Sequence, residues 1–287
     1  MSRLHVFAEH IAAPNVATAL REHREDRDVL LARLKALLQE DPRVRAVWLW
    51  GSSGRGDADD LSDLDPWVIV ADDAVPEMGA ALTSLSVQAG ELVSAGEAPQ
   101  NAPPGGGYLG ALHAGRHGLL HVDWYWQPLS AVTVMPPRAV LLYRLPGTLP
   151  VGDWKPITAG QPARDSTDPR AQIKDSLGFL WLMLSIAAKW LARDPASDLA
   201  LMLYPRPGFE EAITQLGLSQ TFLPLDWSVP ERPQDKVAQL RSLVLTAQHV
   251  TAEAIAQGCA LSPLYAPCLH QYLDLVAGIV ADKSPSA

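Results

Sequence analysis

Cysteine is scarce in this chain of 287 residues, which contains only Cys259 and Cys268. Two thiols cannot form a disulfide framework or a four-thiolate zinc site, so we expect both to be free and buried. The sequence has no uninterrupted apolar run of ~18 residues, the length that a membrane-spanning helix needs. Its first residues, MSRLHVFAEHIAAP, also lack the long apolar stretch of a secretory signal. These absences predict a soluble, cytoplasmic protein with no membrane contact.

Basic residues are the second shortage. Lys and Arg number 23 against 32 Asp and Glu, which gives a formal net charge of -9. Proteins that grip a nucleic-acid backbone are usually basic, because phosphate neutralisation supplies most of their affinity. We therefore expect no nucleic-acid partner, although a small anionic substrate held through a metal ion is compatible with this charge. Hydrophobic residues make up 48% of the chain, enough to bury a full core.

Apolar patterning divides the chain into a part rich in strands and a part rich in helices. The first part predicts helices over 16–39 and 75–95, a loop over 96–107, and strands over 43–51, 63–71, 107–114, 118–126 and 139–145. Residues 146–170, rich in Pro, Gly, Asp and Thr, predict a linker. The second part predicts helices over 171–194, 196–217, 234–257 and 267–283. This order predicts an α+β fold, with a mixed-sheet domain at 1–150 and a helical domain at 151–287.

The segment 47–70, VWLWGSSGRGDADDLSDLDPWVIV, carries the clearest chemical signal. Alternate residues of a strand point to the same face, so Asp63 and Asp65 are expected side by side. Two carboxylates this close repel each other unless a cation lies between them. Mg²⁺ prefers oxygen ligands that it shares with substrate phosphates. The pair therefore predicts a magnesium site.

The turn before this pair is suited to phosphate. Gly51 allows the backbone to approach a phosphate closely, and the Ser52 hydroxyl at a helix start can hold phosphate oxygens. Arg55 adds a forked donor that matches phosphate geometry, although it could instead pair with Asp57, Asp59 or Asp60.

A third acid is expected from the strand GLLHVDWYWQP at 118–128. Alternation places His121, Asp123 and Tyr125 on the face opposite four apolar side chains. An acid inside so apolar a strand needs a metal ion or a partner, and Arg116 and His121 are the alternative partners. Asp63, Asp65 and Asp123 together could carry Mg²⁺ for phosphoryl transfer.

The combination of Gly51-Ser52, a ten-residue gap, Asp63-Leu64-Asp65 and a later strand acid resembles the polymerase beta-like nucleotidyltransferase superfamily. The string GSSGRGDADDLSDLD resembles its aminoglycoside and lincosamide branch. The resemblance implies a mixed sheet flanked by helices and followed by a helical bundle. It implies that Gly51 and Ser52 bind a nucleoside triphosphate and that the three acids bind Mg²⁺. A lysine in the similar helix IAAKWLARD of relatives donates to the phosphates, which makes Lys189 the corresponding candidate.

By the same resemblance, the expected reaction transfers AMP from ATP to a hydroxyl of a small molecule and releases pyrophosphate. An aminoglycoside or a lincosamide is the candidate acceptor. The alternatives are AMP transfer to a protein or RNA, as in toxin–antitoxin modules, and a nucleotide-binding sensor without turnover. Oligomeric state stays open, and Glu91, Glu97 and Asp123 all stay candidates for the general base.

Pro66 departs from the family pattern, in which an apolar residue with a free N–H usually follows the second acid. Because proline cannot donate to a strand ladder, we expect an edge strand or a local bend at this position.

Overall fold

The computed structural model describes residues 15–145, 147, 149–152, 168–218, 225 and 227–283. It confirms an α+β architecture, with a six-stranded mixed sheet in the N-terminal part and helices in the C-terminal part. The strands are β1 (Val44–Leu49), β2 (Pro66–Val70), β3 (Leu92–Glu97), β4 (Gly107–Gly115), β5 (Gly118–Pro128) and β6 (Val140–Tyr143). The helices are α1 (Val16–Glu40), α2 (Gly51–Arg55), α3 (Val75–Ala89), α4 (Pro169–Arg193), α5 (Leu199–Leu203), α6 (Pro205–Gln215), α7 (Pro233–Ala256) and α8 (Tyr265–Lys283).

Two of the long helices begin at residues that cap them. The Asn15 side chain accepts a hydrogen bond of 2.9 Å from the amide of Ala17 at the start of α1. Asp168 accepts one of 3.0 Å from the amide of Arg170 at the start of α4, where Pro169 fills the first helical position. Side-chain oxygens at these positions satisfy amides that the helix itself cannot pair.

The strand order in the sheet is β3-β4-β5-β2-β1-β6. Strand β2 pairs in parallel with β5 and antiparallel with β1, which makes it an interior strand. The hairpin of β4 and β5 has a two-residue turn at Arg116-His117, and its register places Gly110 opposite Asp123.

The sheet is covered on both faces, and the predicted alternation of β5 is confirmed. Leu120, Val122, Trp124 and Trp126 belong to an apolar cluster with side chains of α1 and α3. The opposite face of β5 meets the helical part, where the His121 ring lies 2.9 Å from the Ser185 hydroxyl of α4. Helix α4 therefore packs against the polar face of β5.

Helix α4 lies at the centre of the C-terminal part. Leu177, Leu180, Trp181 and Leu184 of this helix are all buried in a cluster that includes residues of α6, α7 and α8. Of the described helices, α4 is the one long and apolar enough to cross a membrane, and 61% of its apolar stretch is buried inside the protein. That burial is typical of a core helix. Both Cys259 and Cys268 are free and buried, as predicted.

Three predicted elements are wrong in their bounds. The strand expected over 63–71 begins at Pro66, so Asp63 and Asp65 lie before β2, on either side of the isolated bridge of Leu64. The helix expected over 75–95 ends at Ala89, and β3 follows it within the segment where we predicted the end of the helix and a loop. Strand β3 lies at the sheet edge and is only partly buried, so its apolar pattern is weak. The helix expected over 196–217 is divided into α5 and α6 at Tyr204, because Pro205 begins a new helix there.

The expectation of an edge strand at Pro66 is also wrong, since β2 lies between β5 and β1. The sheet tolerates Pro66 because it is the first residue of its strand, paired with Leu49. Most of the predicted linker at 146–170 lies outside the described residues, and the boundary between 1–150 and 151–287 stays a prediction.

Candidate active site

A short parallel bridge between Leu64 and Val122 brings the predicted acids together. The Leu64 amide donates to the His121 carbonyl at 3.0 Å, and the Asp123 amide donates to the Leu64 carbonyl at 2.8 Å. Leu64 and Val122 both point into the cluster beneath the sheet. Their chain neighbours Asp63, Asp65 and Asp123 therefore project from the opposite face.

Of the three acids, Asp65 has the pKa that is raised most. Burial raises its pKa to about 8, with further increases from the carboxylates of Asp123 and Asp63. Lys189 and Arg55 lower it only in part. An acid with this pKa carries little charge at neutral pH unless a cation joins it.

Asp63 already has a cationic partner. The Lys189 ammonium of α4 donates a hydrogen bond to its carboxylate. Burial alone would raise the pKa of Asp63, but the charges of Lys189 and His121 outweigh burial and hold the pKa below its usual value. The His121 ring lies 3.8 Å from Asp63, and burial lowers the pKa of that histidine to about 4.

Asp123 is oriented by a tyrosine of the neighbouring strand. The Tyr108 hydroxyl donates to its carboxylate at 2.6 Å. Burial and the nearby Asp63 raise the pKa of Asp123 to about 6, despite the opposing effect of Tyr108 and Lys189. The predicted alternative of a pair with Arg116 is wrong, because Arg116 binds Asp26 of α1.

The glycine turn lies directly beside the acids. Gly51 has φ of 62°, and a Cβ at this position would overlap the Asp65 carboxylate. Ser52 follows it in α2 and is partly exposed. Arg55 pairs with Asp57 at 3.1 Å on the surface, one of the partners considered from the sequence. Because residue 51 is a glycine, it leaves space directly beside the Asp65 carboxylate.

Of the three candidates for a general base, Asp123 is the one that lies with the acid pair. Glu91 lies beside Cys268, and Glu97 lies at the end of β3 near Asp175 of α4.

A cleft of about 440 Å³ opens between α3 and the ends of the neighbouring strands. Its lining includes Val75, Gly79, Glu97, Gly107, Tyr108 and Trp126. Trp126 belongs to the face covered by α3, whereas the acids project toward α4. Tyr108 connects the two regions, because it lines the cleft and also binds Asp123.

The acids fit magnesium by their chemistry. In the part of the chain that the structure describes, no three Asp, Glu, His or Cys side chains are arranged as a ligand group. The Asp63 carboxylate accepts a hydrogen bond from Lys189, and the Asp123 carboxylate accepts one from Tyr108. The donor set is nevertheless entirely carboxylate, which hard divalent ions prefer. Burial, followed by the charges of Asp123 and Asp63, raises the pKa of Asp65, and a bound cation would oppose both effects.

Sequence reasoning did not identify Tyr108 or Ser185 as residues of this region. The hairpin register contained a signal for Tyr108: a two-residue turn at Arg116-His117 aligns Gly110 with Asp123, and Tyr108 is two residues away on the same face. Ser185 carried no comparable signal, because the docking of α4 on the sheet has no local pattern.

Comparison with known proteins leaves these residues to be interpreted by themselves. Neither the family models searched nor the curated proteins give a match to this chain.

Proposed function

We propose that this protein is a Mg²⁺-dependent nucleotidyltransferase of the polymerase beta-like fold. It transfers AMP from ATP to a hydroxyl group of a small molecule and releases pyrophosphate. The observation that carries the proposal is the bridge between Leu64 and Val122, which sets three acids on one face of the sheet beside a glycine turn.

Asp63, Asp65 and Asp123 are the residues that would hold magnesium. When bound, the metal supplies positive charge that neutralises the triphosphate and activates the acceptor oxygen. The protein itself contributes positioning: the strand bridge fixes the spacing of the acids, and Tyr108 orients Asp123. Fixed geometry of this kind accounts for much of the catalysis of phosphoryl transfer.

The phosphate groups would meet Gly51, Ser52, Arg55 and Lys189. The Lys189 side chain is only 8% exposed and already points its ammonium at the acid pair. An ammonium at this place attracts the phosphates of an entering nucleotide. Arg55 is exposed, and it would exchange its surface pair with Asp57 for a phosphate oxygen.

Asp123 is the best-placed general base. It is the candidate that lies beside Asp63 and Asp65, where a free carboxylate oxygen could accept the proton of the acceptor hydroxyl. The net charge of -9 favours a cationic acceptor such as an aminoglycoside, because opposite charges accelerate encounter. An uncharged lincosamide is the alternative acceptor.

The test is a pyrophosphate-release assay on the purified protein with Mg²⁺, each of the four ribonucleoside triphosphates and a panel of both antibiotic classes. We expect release with ATP and one acceptor, and a nucleotide adduct of that acceptor in the mass spectrum. Asp65→Asn is the matched inactive control, because it keeps the shape of the side chain and removes its charge.

Other outcomes would change the conclusion. Nucleotide binding without turnover on any acceptor would favour the sensor, and labelling of a co-purified polypeptide or RNA would favour those acceptors. Absence of both nucleotide binding and pyrophosphate release would contradict the proposal.

A further inference from the structure

The residues that lead into the acid pair form a closed turn built on Asp59. The Asp59 carboxylate accepts hydrogen bonds from the Leu61 amide at 3.1 Å and from the Ser62 hydroxyl at 2.8 Å. The Ser62 hydroxyl in turn accepts one of 2.9 Å from the Asp59 amide. This turn ends immediately before Asp63, in a segment that has neither helix nor regular strand. The hydrogen bonds of these side chains therefore fix the position of the backbone just before Asp63.

Two arginines from different helices hold this turn. From α4, Arg193 donates two hydrogen bonds to the Asp59 carboxylate, from Nε at 2.8 Å and from Nη2 at 2.9 Å. From α1, the buried Arg27 donates to the Asp59 carbonyl at 2.6 Å. Two-point binding of a carboxylate by arginine fixes orientation as well as distance.

The contact of Arg193 is in register with the contact of Lys189. These two residues are four positions apart on α4, and their partners Asp59 and Asp63 are four positions apart in the loop. Residues at this spacing share one face of a helix. The last turn of α4 is itself fixed by Lys283, whose ammonium donates to the Ala192 carbonyl at 2.8 Å. One helical face therefore holds the loop at two points, one inside the site and one outside it.

We propose that Asp59 and Arg193 are positioning residues that set the place of Asp63 relative to Asp65 and Asp123. The inference rests on the proposed function for the identity of the ion that the acids hold. Asp59 is about half exposed, and exposed ion pairs contribute little to global stability. The effect of this pair is therefore expected in the affinity for metal and in local order, with little change in the melting temperature.

The experiment measures Mn²⁺ binding to the full-length protein by the electron paramagnetic resonance of the free ion. The variants are Asp59→Asn, Arg193→Gln and Arg193→Lys. Loss of a group that orients a metal ligand typically costs ~10–100-fold in affinity, and we expect that loss for Asp59→Asn and Arg193→Gln. Arg193→Lys keeps the charge but not the two-point geometry, so we expect a smaller loss.

Arg206→Gln is the matched control, because it breaks an exposed pair with Glu210 on α6. We expect Mn²⁺ binding like that of the wild type. Amide hydrogen exchange gives a second measurement without metal. The amides of Leu64 and Asp123, which form the strand bridge, should exchange faster than in the wild type in Asp59→Asn and Arg193→Gln, and at the wild-type rate in Arg206→Gln.

The outcomes separate this inference from the proposed function. Wild-type Mn²⁺ affinity in both Asp59→Asn and Arg193→Gln would overturn the positioning role while leaving nucleotidyl transfer intact. Weaker binding in these variants, together with a wild type that transfers no nucleotide, would support positioning and contradict the function. A wild type that binds no Mn²⁺ would overturn the inference, because there would be no metal site to position.

Discussion

The two faces of β5 differ sharply although their residues alternate along one strand. On one face, Leu120, Val122, Trp124 and Trp126 pack into a cluster with α1 and α3. On the other face, Asp123 and its neighbours meet Asp63 in the segment before β2, the Tyr108 hydroxyl of β4, and polar groups of α4. The first face buries apolar surface and stabilises the fold. The second face keeps partly buried acids close together, which costs stability and is typical of a functional site.

The largest expected effect is on the polar face. We expect Asp65→Asn to reduce nucleotidyl transfer by more than about a thousandfold, equivalent to about 4 kcal/mol in the activation barrier. The free energy of unfolding should not fall, because Asp65 is a partly buried acid whose pKa is raised. Initial-rate kinetics and chemical denaturation of the same preparation check both parts. Near-normal turnover would show that the acids do not form the catalytic site.

The matching change on the apolar face is Trp124→Ala. Trp124 is fully buried, so we expect a loss of about 3–5 kcal/mol in the free energy of unfolding. Trp124→Phe keeps a ring and loses the 3.0 Å hydrogen bond to Ser86, so it should cost less. Urea denaturation measures both variants. If Trp124→Ala cost no more than Asp123→Asn, the proposed division between the two faces would be wrong.

A histidine on the apolar face gives a pH-dependent prediction. Burial lowers the pKa of His113 to about 4, and its ring nitrogens have no hydrogen-bond partner within the described residues. The unfolded chain binds a proton near pH 6.5, before the folded chain does, so stability is retained above that pH and lost as pH falls toward 4. Between pH 7.5 and 4.5 the wild type should lose about 2–3 kcal/mol more of its free energy of unfolding than His113→Leu. Denaturation at both pH values checks this, and equal losses would contradict the assignment.

The smallest expected effect concerns the tyrosine that orients Asp123. Tyr108→Phe removes the 2.6 Å hydrogen bond and keeps the ring, so we expect about a tenfold lower rate of transfer. Tyr143→Phe is the matched control. It also removes a tyrosine hydroxyl, but this hydroxyl donates to the carbonyl of Gly147 and does not contact the three acids. Equal rates for Tyr108→Phe and the wild type would show that the bond does not matter to the reaction.

Much of this arrangement was predictable because it depends on local patterns. The alternation of residues 118–128 identified the polar face of β5. The same period was applied to Asp63 and Asp65, which lie before β2 on either side of the isolated bridge of Leu64. Strand β3 could not be identified in this way, since an edge strand is only partly buried and has weak alternation. Pro66 was misleading because its position within the sheet depends on β5, more than fifty residues later in the chain.

The contacts made by α4 could not be predicted from local sequence. The resemblance suggested that Lys189 is near phosphates, but its pairing with Asp63 requires a helix 126 residues away to dock on the loop. Arg193 and Asp59 illustrate the same difficulty, since each alone is typical of a solvated surface. Their common spacing of four becomes informative only when the two segments are known to face each other.

The most direct test of the central claim is a crystal structure with Mn²⁺ and a non-hydrolysable ATP analogue, in which anomalous scattering locates the metal. We expect a peak bound by carboxylate oxygens of Asp63, Asp65 and Asp123, with the phosphates beside Gly51 and Ser52. A peak elsewhere on the protein, or an analogue bound without any metal near these three acids, would contradict the account.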